Sequence, residues 1–387
     1  MIKHKIKILL ELIKYLFFLI VDFFLTSPKN HKENSILIIK MDAIGDYILF
    51  RNFLYILKSS ITYKNYKITL VGNVVWKEIA ETFDKDIIDD FIWIDRKKFT
   101  SNIFYRFKML KRITSNSYEV VIQPSYSRFF LEGDSIVKYI SAKKKIGSEG
   151  DVSNLSKFSK SISDKYYTSL VKTDKKILFE FDRNKEFFTN ICSQKLKIKL
   201  PKLSLKKYIP SLPLPENYVI LFIGASSNSR KWSPEKYLDI AKFLINNYGY
   251  NVVICGAPSD ISDAQIICSS LENSIINMVG KTSLVDLIFL IKSTKFVISN
   301  ETSIPHIAVA LGIPVIIIYN GIHFGRFTPY PVYCNTYFTV YHPRIEKDLM
   351  KYKRISNGYM NNVYLNINDI STDKLYSAIL RLHQEIF

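Results

Sequence analysis

Cysteine is scarce and scattered. The four residues, Cys192, Cys255, Cys268 and Cys334, never stand at a CxxC spacing, and Cys255 lies inside an apolar, strand-like run. Neither a zinc site nor a disulfide framework is suggested, so a reducing cytoplasm is the expected compartment. Also missing are GxGxxG, GxxxxGK(S/T), GxSxG and HExxH. Common dehydrogenases, P-loop NTPases, serine hydrolases and zincins therefore lose most of their claim. Thirteen glycines and thirteen prolines in 387 residues exclude a collagen-like or low-complexity chain. Several long uncharged runs, which a multi-span membrane protein needs, are absent too.

What is present is a folded-protein composition, 48% hydrophobic and 23% charged, at a length that suggests two domains or three. Lysine and arginine number 54 against 35 acidic residues, a net charge of +19. Such a surface expects an anionic partner: nucleic acid, anionic lipid or a phosphorylated substrate. No RNP, KH or helix-turn-helix pattern accompanies the charge, which argues against nucleic acid.

The first thirty residues form a domain-like unit of their own. Spaced about 100° apart on a helix, Lys3, His4, Lys7, Glu11, Lys14 and Asp22 fall within one arc of roughly 100°. The rest of the cylinder is mainly Leu, Ile and Phe. Glu11, Lys14 and Asp22 interrupt any membrane span, and Phe24-Leu25-Thr26 offers no small-residue cleavage site. The segment 1–30 is therefore expected to lie in a membrane interface with its lysines toward lipid phosphates. Packing against the protein is the alternative.

From Asn34 onward the text alternates strands and helices. Ser35–Lys40 is a continuous apolar run, as expected of a strand buried on both faces of a parallel sheet. Lys67–Val71 and Val120–Gln123 extend a first doubly wound unit, 34–205. Pro201, Pro210, Pro213 and Pro215 then mark a linker. A second unit, 216–368, is read as strand Tyr218–Ile223, helix Pro234–Tyr248 and strand Asn251–Cys255. A helix near Asp263–Leu271 follows, then one capped at Ser283, strand Lys295–Ser299, helix Thr302–Leu311 and strand Pro314–Tyr319. Ser233 and Gly249 suit the two caps of the first of these helices. A closing helix is expected within 369–387. The fold class is α/β: two Rossmann-like doubly wound domains facing a cleft, plus the N-terminal amphipathic helix.

Ligands of open parallel sheets bind beyond the carboxyl ends of strands, and three loops there carry unusual residues. In Asp42-Ala-Ile-Gly45-Asp46, Gly45 permits a tight turn, and Asp46 at a helix start could take a proton from an attacking hydroxyl. Ordinary capping competes, and Asp42 is the fallback base. Gly224-Ala-Ser226-Ser227-Asn-Ser-Arg230-Lys231-Trp232 combines free N–H groups, hydroxyls and cations suited to a diphosphate. In the third loop, Thr302 and Ser303 stand at a helix N-terminus that favours phosphate, Glu301 could hold a sugar hydroxyl, and His306 follows. Asp84-Lys-Asp86 imitates a metal-binding DxD, a pattern too short to count in a charged loop.

In order and spacing these loops resemble the inverting glycosyltransferases of family 9, the heptosyltransferase type of lipopolysaccharide assembly. Ile36–Asp46 is similar to the family's opening strand and Ile-Gly-Asp turn. Gly224-Ala-Ser with Lys231-Trp232-Ser-Pro234 resembles its phosphate loop. Gly256-Ala-Pro-Ser-Asp260, Val279-Gly280-Lys-Thr-Ser-Leu284 and Glu301-Thr-Ser with His306 and Leu311-Gly-Ile-Pro314 follow in family order, over about residues 35–330. Two departures stand out: Arg230 where the family commonly has Lys, and Glu301-Thr302-Ser303 where it has Asp-Thr-Gly.

The resemblance implies a GT-B fold and metal-free, cofactor-free inversion at the anomeric carbon, with Asp46 as general base. A nucleotide-sugar donor would lie on the second domain. Its diphosphate would meet Ser226, Ser227, Arg230, Lys231, Thr302 and Ser303, and its nucleotide or sugar Asp260, Gly280, Glu301 and His306. A glycolipid or oligosaccharide acceptor would lie on the first domain near Gly45 and Arg128, and the enzyme would sit at the inner face of the cytoplasmic membrane. A nucleotide-sugar epimerase of the same fold, an inactive scaffold and a nucleic-acid-binding protein are the alternatives.

Overall fold

A computed structural model describes residues 13–205, 215–271, 275–347, 349 and 365–387. The expected helical residues 1–12 and the linker prolines Pro210 and Pro213 lie outside the described residues. The chain divides into two compact units, Met1–Lys175 with Arg183–Lys197, and Lys176–Asp182 with Ile198–Phe387.

The first unit opens with a helix, α1, over 13–22. Its sheet comprises β1 (Ser35–Lys40), β2 (Lys67–Asn73), β3 (Asp90–Ile94), β4 (Ser117–Gln123), β5 (Ser141–Ser148) and β6 (Ser169–Val171). All pair in parallel in the order β3-β2-β1-β4-β5-β6. β1 is central and wholly buried, which is why it reads as an uninterrupted apolar run. Every parallel neighbour requires a crossover, and helices supply them. Those used below are α2 (Ile44–Phe50), α3 (Asn52–Ser59), α4 (Arg96–Ser101), α5 (Ile103–Thr114) and α6 (Gly133–Tyr139). The helix expected as Tyr47–Lys58 starts three residues earlier and is divided at Arg51 between α2 and α3. One apolar core, including Leu37, Ile39, Phe99, Leu110, Ile113, Ile136 and Val137, joins one face of the sheet to α4, α5 and α6.

The second unit repeats the plan. Its strands are β7 (Tyr218–Phe222), β8 (Asn251–Cys255), β9 (Ile275–Asn277), β10 (Val297–Asn300), β11 (Val315–Tyr319) and β12 (Tyr337–Tyr341). They pair in parallel in the order β12-β11-β10-β7-β8-β9. Counted from its own first strand, this sheet has the strand order of the first one, the doubly wound dinucleotide-type order. α7 (Pro234–Tyr248) begins at the Ser233 cap, with Pro234 at its first position, and ends at Gly249 with φ of 64°. α8 (Leu284–Ser293) carries a reciprocal capping box between Ser283 and Asp286. α9 (Ile304–Leu311) is buried along its whole length. The C-terminal helix Thr372–Ile386 closes one side of the sheet through Leu375, Ile379 and Leu382.

α1 corrects one expectation. Asp22, placed in the arc facing lipid or water, is buried against Arg106 of α5, with Nη2–Oδ2 at 2.8 Å and Nε within 3.3 Å of both carboxylate oxygens. A carboxylate that finds a buried guanidinium gives up solvent for charge-assisted hydrogen bonds, so the Asp22 end of the polar arc turns inward.

Candidate functional site

In an open sheet the strand order reverses between two neighbours, and the loops leaving their carboxyl ends there diverge to form a crevice. In the first unit these neighbours are β1 and β4; in the second, β7 and β10. All three loops singled out in the sequence leave β1, β7 or β10.

After β1 the chain needs only residues 41–43 before α2 begins at Ile44 with Ala43 as its cap. Asp46 thereby becomes the third residue of a helix, half-exposed, where the N-terminal dipole favours a carboxylate. Gly45 immediately precedes it, half-exposed, in the first turn. Asp42 is differently placed. Its Oδ2 lies 2.7 Å from Nζ of buried Lys40 and accepts from the Ser125 hydroxyl at 2.6 Å. Its backbone carbonyl accepts from Asn73 at 3.2 Å and from the Trp76 indole at 3.0 Å. Burial pushes the Asp42 pKa up. The Lys40 charge, hydrogen bonds from Lys40 and Ser125, and the Arg96 charge outweigh that and hold it below its ordinary value. A committed, acidified carboxylate is a weak base.

Arg96, at the start of α4, went unnoticed in the sequence. Its Nε holds Glu132 at 2.6 Å, its guanidinium stacks 4.5 Å from the Phe129 ring centre, and it feels the charges of both Asp42 and Asp46. Lys40 had a legible signal, being a lone cation closing an apolar strand two residues before an Asp. Arg96, in a run of basic residues, had none. Arg128 is buried among Asp134, Asp164 and the Tyr167 ring, so its charge is engaged inside the fold. Asp84, of the DxD look-alike, is likewise buried against Arg51 and the Tyr47 hydroxyl.

The β7 loop runs over residues 223–233 before α7 begins. Asn300, at the end of β10, holds it: the amide donates to the carbonyls of Ile223 and Gly224 at 2.9 and 3.3 Å and accepts from Trp232 N–H at 3.2 Å. Asn320 donates to the Ser229 carbonyl at 3.0 Å, and the Trp232 indole is anchored on the Ile370 carbonyl at 3.0 Å. A loop pinned at both ends presents its polar groups without further ordering.

The loop's two cations differ. Lys231 lies 2.5 Å from Asp260 and 3.2 Å from Asp263, a clamp between loops. Burial disfavours its charge, but the hydrogen bonds and charges of those two carboxylates raise its pKa overall. Asp260 is buried, caps the Ala257 N–H at 2.8 Å and packs against Gly224, where a Cβ would come within 2.4 Å of its Oδ2. Only glycine fits at 224. Gly280, at φ of 71°, faces Pro258 behind the same turn.

Arg230 is more open. It contacts the hydroxyls of Ser226 and Ser227 and lies 3.5 Å from Glu301 Oε2. That separation is too long for a strong hydrogen bond, and burial of Glu301 pushes its pKa up to about 7 despite the Arg230 charge and contact. At neutral pH Glu301 is thus a part-time counterion. Thr302 and Ser303 precede the first turn of α9, the Thr302 hydroxyl accepting from Ile304 N–H at 3.2 Å. His306 is buried, its Nδ1 2.8 Å from the Tyr330 hydroxyl, and burial lowers its pKa to about 3, leaving it neutral. Among the described residues, no group of three or more His, Cys, Asp or Glu is placed to hold a metal ion.

Both units are thus doubly wound sheets, the first with an acidic and the second with a cationic loop at its switch point. The profile of glycosyltransferase family 9 (heptosyltransferase) matches residues 106–347, more than half of the sequence, and the chain belongs to that family. Over 105 residues it is 31% identical to lipopolysaccharide heptosyltransferase 2 of Salmonella typhimurium, covering 26% of this chain and 30% of that protein. The counterpart from Escherichia coli is 30% identical over the same shares. These alignments thus span under a third of the curated relatives' length. The fold extends much further. A family 9 glycosyl transferase from Veillonella parvula superposes with a TM-score of 0.67 at 17% identity, covering 93% of this chain and 99% of that one. E. coli heptosyltransferase WaaC with ADP gives 0.65 at 13% identity, covering 91% and 98%.

Proposed function

We propose that the protein is an inverting glycosyltransferase that moves a heptose or related sugar from a nucleoside diphosphate to a hydroxyl of a lipopolysaccharide or surface-glycan acceptor. Family membership supports the reaction class, and the names of the relatives support the substrates. One observation carries the division of labour: the β1 loop holds a half-exposed carboxylate beside an already committed one, while the β7 loop is a pinned, hydroxyl-rich cationic cradle.

In this reading Asp46 takes the proton of the acceptor hydroxyl as its oxygen attacks the anomeric carbon. The bond to the departing diphosphate breaks on the opposite face, so the configuration inverts. Arg230, with Ser226 and Ser227, stabilises the charge developing on that diphosphate, and the N–H groups leading into α9 add to it. Lys231 and Asp260 hold the loop in shape. Neutral His306 positions rather than transfers protons.

The test is to supply a panel of nucleoside-diphosphate sugars with and without a lipopolysaccharide-core acceptor and measure nucleoside diphosphate release. Acceptor-dependent release of product is expected. Conversion of the donor sugar without acceptor would instead assign an epimerase.

A further inference from the structure

α1 is seated inside out. Its polar positions face the protein: Asp22 meets Arg106 in a pair of which each member is 1% exposed, and the Tyr15 hydroxyl lies 2.8 Å from that of Tyr166. Phe18 is buried between them, 4.2 Å from the Arg106 guanidinium. The opposite face and the turn after it carry Ile13, Leu16, Phe17, Ile20, Phe23 and Phe24, each more than half exposed, Phe23 at 79%. Rotating the helix to hide these side chains would strand a buried Arg106 without its counterion. The outward apolar stripe is thus locked in place, and a stripe of this kind on a soluble surface marks a docking site.

The neighbouring surface says what docks. Residues 96–114, which build α4 and α5, contain seven cations and no carboxylate. Arg96 and Arg106 point into the fold, whereas Lys97, Lys98, Lys108, Lys111 and Arg112 are exposed. Phe104, on the same outer face of α5 as Lys108 and Lys111, is 84% exposed. α4, α5 and α6 cover one face of the first sheet, and Leu25, just past α1, packs on that same core.

We propose that the outer face of α1 and the cationic outer faces of α4 and α5 form one docking surface for an anionic lipid bilayer. The apolar side chains enter the headgroup–acyl boundary and the lysines meet lipid phosphates. This differs from the arrangement expected from the sequence, where the lysines of the N-terminal helix itself faced lipid: here Asp22 of the same polar arc turns inward and a separate helix pair supplies the charge. The proposal stands apart from the sugar-transfer reading, because none of these residues belongs to the switch-point loops.

Co-sedimentation of the full chain with vesicles tests it. Phosphatidylcholine mixed with phosphatidylglycerol should pull the protein down, phosphatidylcholine alone should not, and added salt should weaken the binding. Two variants, Phe17→Ser/Ile20→Ser/Phe23→Ser and Lys108→Gln/Lys111→Gln/Arg112→Gln, should each lower the bound fraction at least about tenfold. Both change exposed side chains only, so transfer to a soluble acceptor should persist. Failure to bind anionic vesicles, or binding that neither variant reduces, would overturn the proposal. So would a wild-type dimer that the Phe17/Ile20/Phe23 variant dissolves, which would make a second copy the occupant.

Discussion

The two sheets share a strand order, yet the loops at their switch points have opposite character. After β1, three residues suffice to reach a helix whose first turn presents a carboxylate; after β7, eleven residues form a pinned loop, and what they expose is hydroxyl and guanidinium. The scaffold fixes where a ligand can meet the chain, and loop length and composition decide its charge. Each loop also spends one charged group on holding itself together, Asp42 with Lys40 in the first and Lys231 with Asp260 in the second; in the proposed reading Asp46 and Arg230 are the groups that meet substrate.

That pairing of a structural and a functional group can be broken from either side. The largest effect is expected at Asp42→Asn, which leaves buried Lys40 without its counterion. Removing one partner of a buried pair costs about 3–5 kcal/mol, and chemical denaturation should register it. An unchanged midpoint would mean that Asp42 is not the structural member. Next comes the cradle. Arg230→Ala removes a charge-assisted contact of about 1.5–3 kcal/mol, so nucleoside diphosphate affinity measured by calorimetry should fall at least about tenfold. Lys231→Ala should affect affinity less and stability more, and the reverse ranking would exchange their roles.

A smaller, pH-dependent effect sharpens the comparison. Glu301 has its pKa raised to about 7 from 4.5, so its folded form binds the proton more tightly than the unfolded chain. Its contribution to stability is present below about 4.5 and lost as pH rises through 7. A diphosphate held by Arg230, as proposed, would raise that pKa further. Binding near pH 7.5 should therefore take up protons, visible as a dependence of the apparent enthalpy on buffer ionisation, and affinity should weaken several-fold toward pH 8.5. Glu301→Gln should abolish both dependences.

Much of this plan is legible in the sequence where burial is uniform. β1, β8 and α7 have the expected bounds because continuous apolar runs and a Ser-Pro…Gly frame leave little choice. β5 was not legible: its Ser-Ala-Lys-Lys-Lys-Ile-Gly-Ser run conceals a strand whose Lys145 stem lies along the fold and donates to the Val137 carbonyl at 2.8 Å. The switch-point loops announced themselves through residue type. Of the partners that sort their charges, Lys40 stands two residues before Asp42, but Arg96, Ser125 and Asn300 come from distant elements, and no spacing rule links them. The burial of Asp22 was not legible for the same reason, since a helical wheel shows which residues share a face but not that Arg106 waits behind one of them.

The central claim, that Asp46 moves the proton while the β7 loop holds the diphosphate, is tested most directly on one protein sample. Asp46→Asn should bind nucleoside diphosphate within about twofold of wild type, while single-turnover sugar transfer falls at least ~10²-fold. Transfer at the wild-type rate, or affinity and transfer falling together, would contradict it.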